Sequence, residues 1–443
     1  MRARLRLRAP VVLPCDAACS VLRDAAVDIE PDGRIGYCGP FASAPGVAEV
    51  RNCSGILLPG LINAHAHSPM TVLRGMGGDL PLMRWLREVI WPAEAAMTAA
   101  DMRAGMLLGA VDMLCNGVTT SVEMYFHGEK LAEAVLAAGS RAVLTMGIIE
   151  AFGGRWPDLI AAISSWIDAD GLRFGPGERI EVGYGPHSAY TLPEAALVAT
   201  AEAARQRGAL LHIHVAEAAD EDAAQRERHG SVPRLLESAG VLGGRVLAAH
   251  AVHMSDEDIA AFARHRVGVA HCPGSNAKLA SGIARVSDMR RAGIAVGVGT
   301  DGPASNDGLD LLADARLAAF VARLSTMDSS VLPAGDVLLM ATRDGAAAIG
   351  RDDIGALEPG RWADIVHIDT DDPAFSAGTD VPDAHLLANL VWAAGARRVR
   401  DVWVAGERVV DGGEPTRVDR AKVRAEAGAV TRRLLGVASA RGE

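Results

Sequence analysis

Lysine is almost missing from this chain. Lys130, Lys278 and Lys422 are the only lysines in 443 residues, arginine carries nearly all the positive charge, and the net charge is −11 at pH 7. Such a balance argues against nucleic acid or an anionic membrane as the main partner, because both reward clustered positive charge. Cysteine is sparse and scattered, at Cys15, Cys19, Cys38, Cys53, Cys115 and Cys272. Cys15 and Cys19 are close, but no second pair stands at zinc-module spacing, which speaks against a structural zinc finger. No apolar run reaches the ~20 residues that cross a membrane. The opening "MRARLRLRAPVVL" has basic residues but neither a long apolar core nor a cleavage-like site, so no secretory signal is expected. Its alternating arginines read instead as a strand with one wet face. The expected setting is the reducing cytoplasm.

What is present is a long alternation of short apolar runs with Ala-rich amphipathic stretches. The strand candidates are 56–63, 118–124, 141–148, 179–186, 209–215, 245–250, 267–272 and 294–300. Helical patterns lie between them, such as "LPEAALVATAEAARQRG" and "SDEDIAAFARHR", the second opening on Ser255 as N-cap. Strands and helices in this alternation predict a (β/α)8 barrel over 56–354. Residues 1–55 and 355–420 instead contain short alternating segments and turns, which predict a small β-sandwich domain built from both termini. A C-terminal helix and tail, 421–443, close the chain. The stretch between His67 and the strand at 118 is unusually long and holds glycines, prolines and two tryptophans, Trp85 and Trp91. Insertions at that end of a barrel strand commonly shape the substrate pocket.

Barrel active sites form at the C-terminal ends of the strands. The residues there are His65 and His67, Glu123, His187, His212 and His214, His250, His271 and Asp301. Thirteen histidines spread at random would rarely end so many strands. His65 and His67 share a parity, so both imidazoles face one way, and paired neutral imidazoles suit borderline metals. His212 and His214 also share a face; His214 lies nearer the rim and is the expected third ligand. Asp301, closing "VGVGTD", is the expected carboxylate ligand. Three imidazoles and one carboxylate leave room for water, as a catalytic site requires.

The stretches "PGLINAHAHSPM", "HIHVAE", "AAHAVHM", "HCPGSNAKLASG" and "GTDGPASND" resemble the amidohydrolase superfamily, and within it the 5′-methylthioadenosine/S-adenosylhomocysteine deaminase group. The likeness runs from about residue 30 to 410 and takes in "IGALEPGRWADIV". It implies one zinc ion per subunit, with iron or manganese able to use the same ligands. Two-metal members of the superfamily use a carbamylated lysine on a middle strand, and no lysine here falls on a predicted strand. The resemblance further implies hydrolytic deamination of an adenine nucleoside. Glu217 would protonate the ring nitrogen beside the attacked carbon. Asp301 would take the proton of the attacking water and pass it to the departing amine, and His250 would hydrogen-bond the nucleophile.

For the substrate, the resemblance places Trp85 as an aromatic wall and Glu94 on the ribose hydroxyls. His187 would contact a purine ring nitrogen, and Arg155 the ribose or its 5′-substituent. The sequence departs from the pattern at Met146, where the family often has arginine, and at Ala189, where proline is usual. Without that cation, compact and less charged 5′-groups are favoured among adenosine, 5′-deoxyadenosine, methylthioadenosine and S-adenosylhomocysteine. A homo-oligomer is implied by the likeness alone. Two rivals remain at this point. One is a deaminase or chlorohydrolase of another N-heterocycle (guanine-like, pterin or triazine), against which Trp85, Glu94 and the acid Glu217 all weigh. The other is a silent scaffold of the dihydropyrimidinase-like kind, against which the intact ligand set weighs.

Overall fold

The computed structural model describes residues 5–439 except 47–48, 79 and 151–153. Eight parallel strands follow one another in space as they do in the chain: β1 (Leu61–Ala66), β2 (Val118–Tyr125), β3 (Arg141–Ile148), β4 (Ile180–Pro186), β5 (Leu211–Val215), β6 (Val246–His250), β7 (Gly268–His271) and β8 (Val296–Val298). A parallel bridge between Ala66 and Asp301 brings the end of β8 back to β1. The strands are buried almost throughout, as a sheet covered by crossover helices must be. The helix Asp256–His265 starts where the sequence places it. The Ser255 hydroxyl accepts from the Asp258 amide while the Asp258 carboxylate accepts from the Ser255 amide, a reciprocal cap.

The strands of the two termini join in one nine-stranded, largely antiparallel sheet. It packs around Leu7, Val12, Val27, Leu57, Ile365 and Trp403. A buried ion pair ties it to the barrel: Arg141, at the start of β3, donates from Nε to Asp364 Oδ2 at 2.9 Å, with both side chains out of solvent. One expectation needs correction. The run 56–63 is two strands, not one. Ile56–Pro59 belongs to the terminal sheet, between Leu5–Val12 and Ile365–Ile368, and only Leu61–Ala66 enters the barrel. The junction is Gly60, where an added Cβ would lie 2.0 Å from Thr119 Oγ1. Only glycine allows the two layers to approach so closely.

The long segment after β1 is helical in pieces: Ser68–Leu73, then the nearly continuous stretch Leu82–Glu94, then Ala99–Cys115 with Thr98 and Asp101 forming its N-terminal capping box. The closing helix, Arg420–Ser439, lies against it, and Arg433 meets Asp101 at 2.5 Å. This segment forms a wall over the C-terminal ends of the strands.

Candidate metal centre and active site

Three strand ends bring the metal-type residues together. His67 Nε2 lies 3.2 Å from Asp301 Oδ1, and His65 Nε2 lies 3.3 Å from the same oxygen. His214 Nε2 is 3.4 Å from His67 Nε2. The ligand atoms of His65, His67 and His214 all fall within 4.8 Å of one another. Asp301 is held in a left-handed backbone conformation, φ 59°, where non-glycine residues are strained. Its amide donates to the His65 carbonyl at 2.9 Å, and Ser305 Oγ donates to Oδ2 at 2.8 Å, leaving Oδ1 to face the imidazoles.

The hydrogen bonds behind the rings decide which nitrogen faces inward. His67 Nδ1 donates to the Met124 carbonyl at 2.6 Å, and His214 Nδ1 donates to the His187 carbonyl at 2.8 Å. Both Nε2 atoms are therefore free to ligate. His65 Nε2 is fully buried and, among the described residues, makes no well-aligned hydrogen bond, its neighbour Asp301 Oδ1 standing at 3.3 Å. A buried nitrogen so placed, beside two further imidazole nitrogens and a carboxylate oxygen, fits a divalent cation with N and O ligands. The electrostatics agree. Burial acts to lower the His67 pKa, but the hydrogen bond and charge of Asp301 outweigh it and lift the ring to about 9. Burial acts to raise Asp301, and its contacts with His65 and His67 outweigh that too, leaving the carboxyl well below its usual range. The cluster calls for a positive charge at the point these atoms share.

A second grouping, His65 with His250 and Cys272, shares one of these ligands. Burial holds the Cys272 thiol far above its ordinary range, so it is a poor ligand. Lys130 and Lys278 are occupied elsewhere, with Glu133 and Asp307, and neither lines the cavity.

Beside the cluster sit the groups suited to proton transfer. Glu217 is 4% exposed, and burial raises its pKa. Its Oε2 lies 3.8 Å from His250 Nε2. His250 Nδ1 donates to Asn276 Oδ1 at 2.9 Å, which leaves Nε2 turned toward the cavity. His187 also lines the cavity, and burial with its histidine neighbours presses its pKa to about 3, so it stays neutral. Trp85 forms part of the wall, pinned by Nε1 donating to the Met76 carbonyl at 3.2 Å. Glu94 reaches in from Trp91–Glu94 and accepts from the Tyr125 hydroxyl at 2.7 Å. Burial raises Glu94 to about 7.

Arg155 is not brought to this cavity. Its guanidinium is 75% exposed and lies 3.5 Å from Asp158, three residues along. A flanking arginine beside the aspartate of a helix N-terminus finds its partner locally, before any site across the barrel can claim it. His253, whose Nε2 donates to the Ser281 carbonyl at 2.9 Å, and His271 are outside the cavity lining.

Several contributors were assigned no role from the sequence. Tyr125 holds Glu94, Asn276 holds His250, and Ser305 holds Asp301. Glu123 does not face the metal cluster; its carboxylate accepts from the Ser68 amide and hydroxyl at 2.8 and 2.6 Å and anchors the chain just after His67. Glu123 and Tyr125 stand at the C-terminal end of their strand, while Asn276 and Ser305 follow theirs within the stretches HCPGSNAKLASG and GTDGPASND.

Beyond Glu94, Phe126, Gly147 and Ile149 the cavity wall is shared with a second chamber of about 590 Å³. Met97, Met102, Met146, Ile163 and Trp166 line it together with His127 and Glu129, and its lining includes neither lysine nor arginine among the described residues.

Residues 56–409 match the amidohydrolase family. A protein from Pelotomaculum thermopropionicum named 5-methylthioadenosine/S-adenosylhomocysteine deaminase is 39% identical over 430 residues, 96% of this chain and 97% of that one. A protein of the same name from Desulfitobacterium hafniense is 38% identical over 442 residues, 98% and 99% of the two chains. Among solved structures, an adenosine deaminase from Xanthomonas campestris with bound zinc has a TM-score of 0.90 at 34% identity, covering 98% of both chains. An atrazine chlorohydrolase from Arthrobacter aurescens complexed with zinc has a TM-score of 0.87 at 27% identity, covering 96% of this chain and 100% of that one. The match takes in the barrel, its metal-type cluster and the strands returning to the terminal sheet, and the relatives align from end to end: the chain belongs to the amidohydrolase family.

Proposed function

We propose that this protein is a zinc-dependent hydrolytic deaminase of adenine nucleosides, releasing ammonia and the inosine analogue. The observation that carries the reading is Glu217, a buried carboxyl of raised pKa, standing beside His250 at the edge of the His65–His67–His214–Asp301 cluster. The names of the relatives support it. Zinc would supply a Lewis acid that acidifies water at neutral pH, and the ligands are His65, His67, His214 and Asp301.

The chain's own residues divide the remaining work. Glu217 gives its proton to the ring nitrogen next to the attacked carbon, so electron density displaced by the attacking oxygen has somewhere to go. His250 Nε2 accepts a hydrogen bond from the attacking water and orients it. Asp301 takes a proton from that water and hands it to the amine, so a C–O bond forms, the C–N bond breaks and neutral ammonia leaves; the hydrogen remaining on the new oxygen returns to Glu217, which leaves a carbonyl and restores the acid. Neutral His187 bonds a purine nitrogen, and Glu94, oriented by Tyr125, accepts from the ribose hydroxyls. The second chamber, lined mainly by apolar side chains and holding Glu129 but no lysine or arginine among the described residues, receives the 5′-substituent, which favours a methylthio or deoxy group over one ending in a carboxylate. A reducing cytoplasmic location suits the six unpaired cysteines; a homo-oligomer rests on the family likeness alone.

Likeness to the chlorohydrolase supports a second reading, hydrolysis of a triazine. One experiment separates the two. Ammonia and chloride release are followed with purified, metal-analysed protein and adenine, adenosine, 5′-deoxyadenosine, methylthioadenosine, S-adenosylhomocysteine, guanine and a chlorotriazine. Ammonia from the nucleosides but not from adenine is the expected result. Ammonia from a free base only, or chloride alone, would overturn it.

A further inference from the structure

His65 differs from the other two imidazoles of the cluster in how its inner nitrogen is chosen. Main-chain carbonyls fix His67 and His214 directly. Behind His65 stands a file of side chains instead. His65 Nδ1 lies 2.8 Å from His212 Nε2, His212 Nδ1 lies 2.9 Å from Thr145 Oγ1, and Thr145 Oγ1 lies 2.9 Å from the Glu123 carbonyl oxygen. His65, His212, Thr145 and Glu123 are all 0% exposed, so no bulk water can replace a partner.

The direction of every bond follows from the far end. A carbonyl oxygen only accepts, so the single hydroxyl hydrogen of Thr145 goes to Glu123. Thr145 Oγ1 can then only accept from His212, which puts the His212 hydrogen on Nδ1. A neutral His212 therefore offers a lone pair at Nε2, and His65 Nδ1 must donate to it. What remains at His65 Nε2 is a lone pair aimed at the cluster, where the ligand atoms of His67 and His214 also point. We propose that Thr145 and His212 are positioning residues that set the His65 tautomer, so that a threonine hydroxyl two side chains away from the metal determines whether His65 can ligate it.

This rests on the metal reading of the cluster, and the tests separate the two. Zinc affinity is measured by competition with a chromophoric chelator for the unaltered protein, Thr145→Val and Thr145→Ser. Valine keeps the shape of threonine but leaves His212 Nδ1 without an acceptor, which favours the opposite tautomer all along the file and puts a hydrogen on His65 Nε2. Thr145→Val is expected to weaken zinc about 10–100-fold, the usual range for losing a hydrogen bond behind a ligand, and Thr145→Ser to stay within about threefold. Undiminished affinity in Thr145→Val, or equal losses in both variants, would overturn the proposal, the second because packing rather than the hydroxyl would then be responsible. Should Thr145→Val fail to fold, nitrogen-15 histidine spectra of the unaltered zinc-loaded protein decide. His212 must show its hydrogen on Nδ1, and a hydrogen on Nε2 refutes the file. If the unaltered protein bound no metal, the metal reading would fall while the tautomer of His212 stayed readable.

Discussion

The two ends of the cavity are built by different means. At the metal end, His65, His67, His214, His250 and Asp301 stand on or just past the ends of strands, and each is held from behind by a hydrogen bond within the barrel. At the other end, Trp85 and Glu94 come from the insertion after β1, and the second chamber is walled by methionines and aromatics. Rigid strand ends place charge to within tenths of an ångström, which metal binding and proton transfer need. Flexible apolar side chains on an insertion accommodate shape, which substrate selection needs. Changes at the first end should therefore abolish chemistry, and changes at the second should redistribute it among substrates.

Asp301→Asn is expected to have the largest effect. It removes an anionic ligand and the proton carrier together, so kcat/KM should fall roughly a thousandfold or more, on the scale of several kcal/mol of transition-state stabilisation. Metal analysis of the dialysed variant should show zinc lost. Retained zinc with near-normal turnover would break the comparison at its stronger end.

Glu217→Gln comes next. The amide keeps the shape but carries no transferable proton, so kcat should drop about 10²–10⁴-fold while zinc content stays unchanged. Steady-state rates with metal analysis check both halves. In the unaltered enzyme, the acid must be protonated to work, so the alkaline limb of the kcat profile should belong to Glu217 and vanish in this variant.

Glu94→Gln should act on binding and on stability rather than on turnover. KM for nucleosides is expected to rise about tenfold, the value of one charge-assisted hydrogen bond, with kcat little changed. Glu94 titrates at about 7 in the folded protein against an ordinary 4.5. The folded chain keeps this proton where the unfolded chain has released it. The stability so contributed is full below about pH 4.5 and is lost as pH rises through 7. Glutamine removes that slope, so the variant should gain on the parent by roughly 3 kcal/mol at pH 8 and not at pH 4. Thermal melts at the two pH values test this, and a gain equal at both would refute the buried-carboxyl account.

Arg155→Ala should do least. The side chain is exposed and, among the described residues, pairs with its helical neighbour Asp158, so kcat/KM on every nucleoside should stay within about twofold. A tenfold change selective for one 5′-substituent would show that Arg155 swings into the second chamber when substrate is bound.

Much of the metal end was legible in the chain itself. The parity of His65 and His67, the position of His214 nearer the rim than His212, and Asp301 at the end of its strand all point to one cluster. The structure brings those atoms within a few ångströms. The other end was less legible. Glu94 and Trp85 do line the cavity, whereas Arg155, placed by the same resemblance, does not. Ligand positions on strands inherit the two-residue period of the strand, so their facing can be counted off. Positions on an insertion inherit nothing of the kind, because loop geometry depends on what the loop packs against. The split of 56–63 at Gly60 was hidden for a related reason: both halves are apolar and strand-like, and only the neighbours Leu5–Val12 and Ile365–Ile368, distant in sequence, claim the first half for the other sheet.

The sequence by itself determined the barrel, through its alternation of strand and helix patterns, and the metal-type residues, through their parity and their places at strand ends. Tertiary structure alone decided which nitrogen each histidine turns inward and which carboxyl groups burial would raise in pKa. It also decided where the terminal sheet ends and the barrel begins. These are properties of partners supplied by other strands, such as Met124 for His67, His187 for His214, and His212 with Thr145 for His65. A hydrogen bond between residues far apart in the chain leaves no period to read; it exists only once the strands carrying its donor and acceptor have been laid side by side.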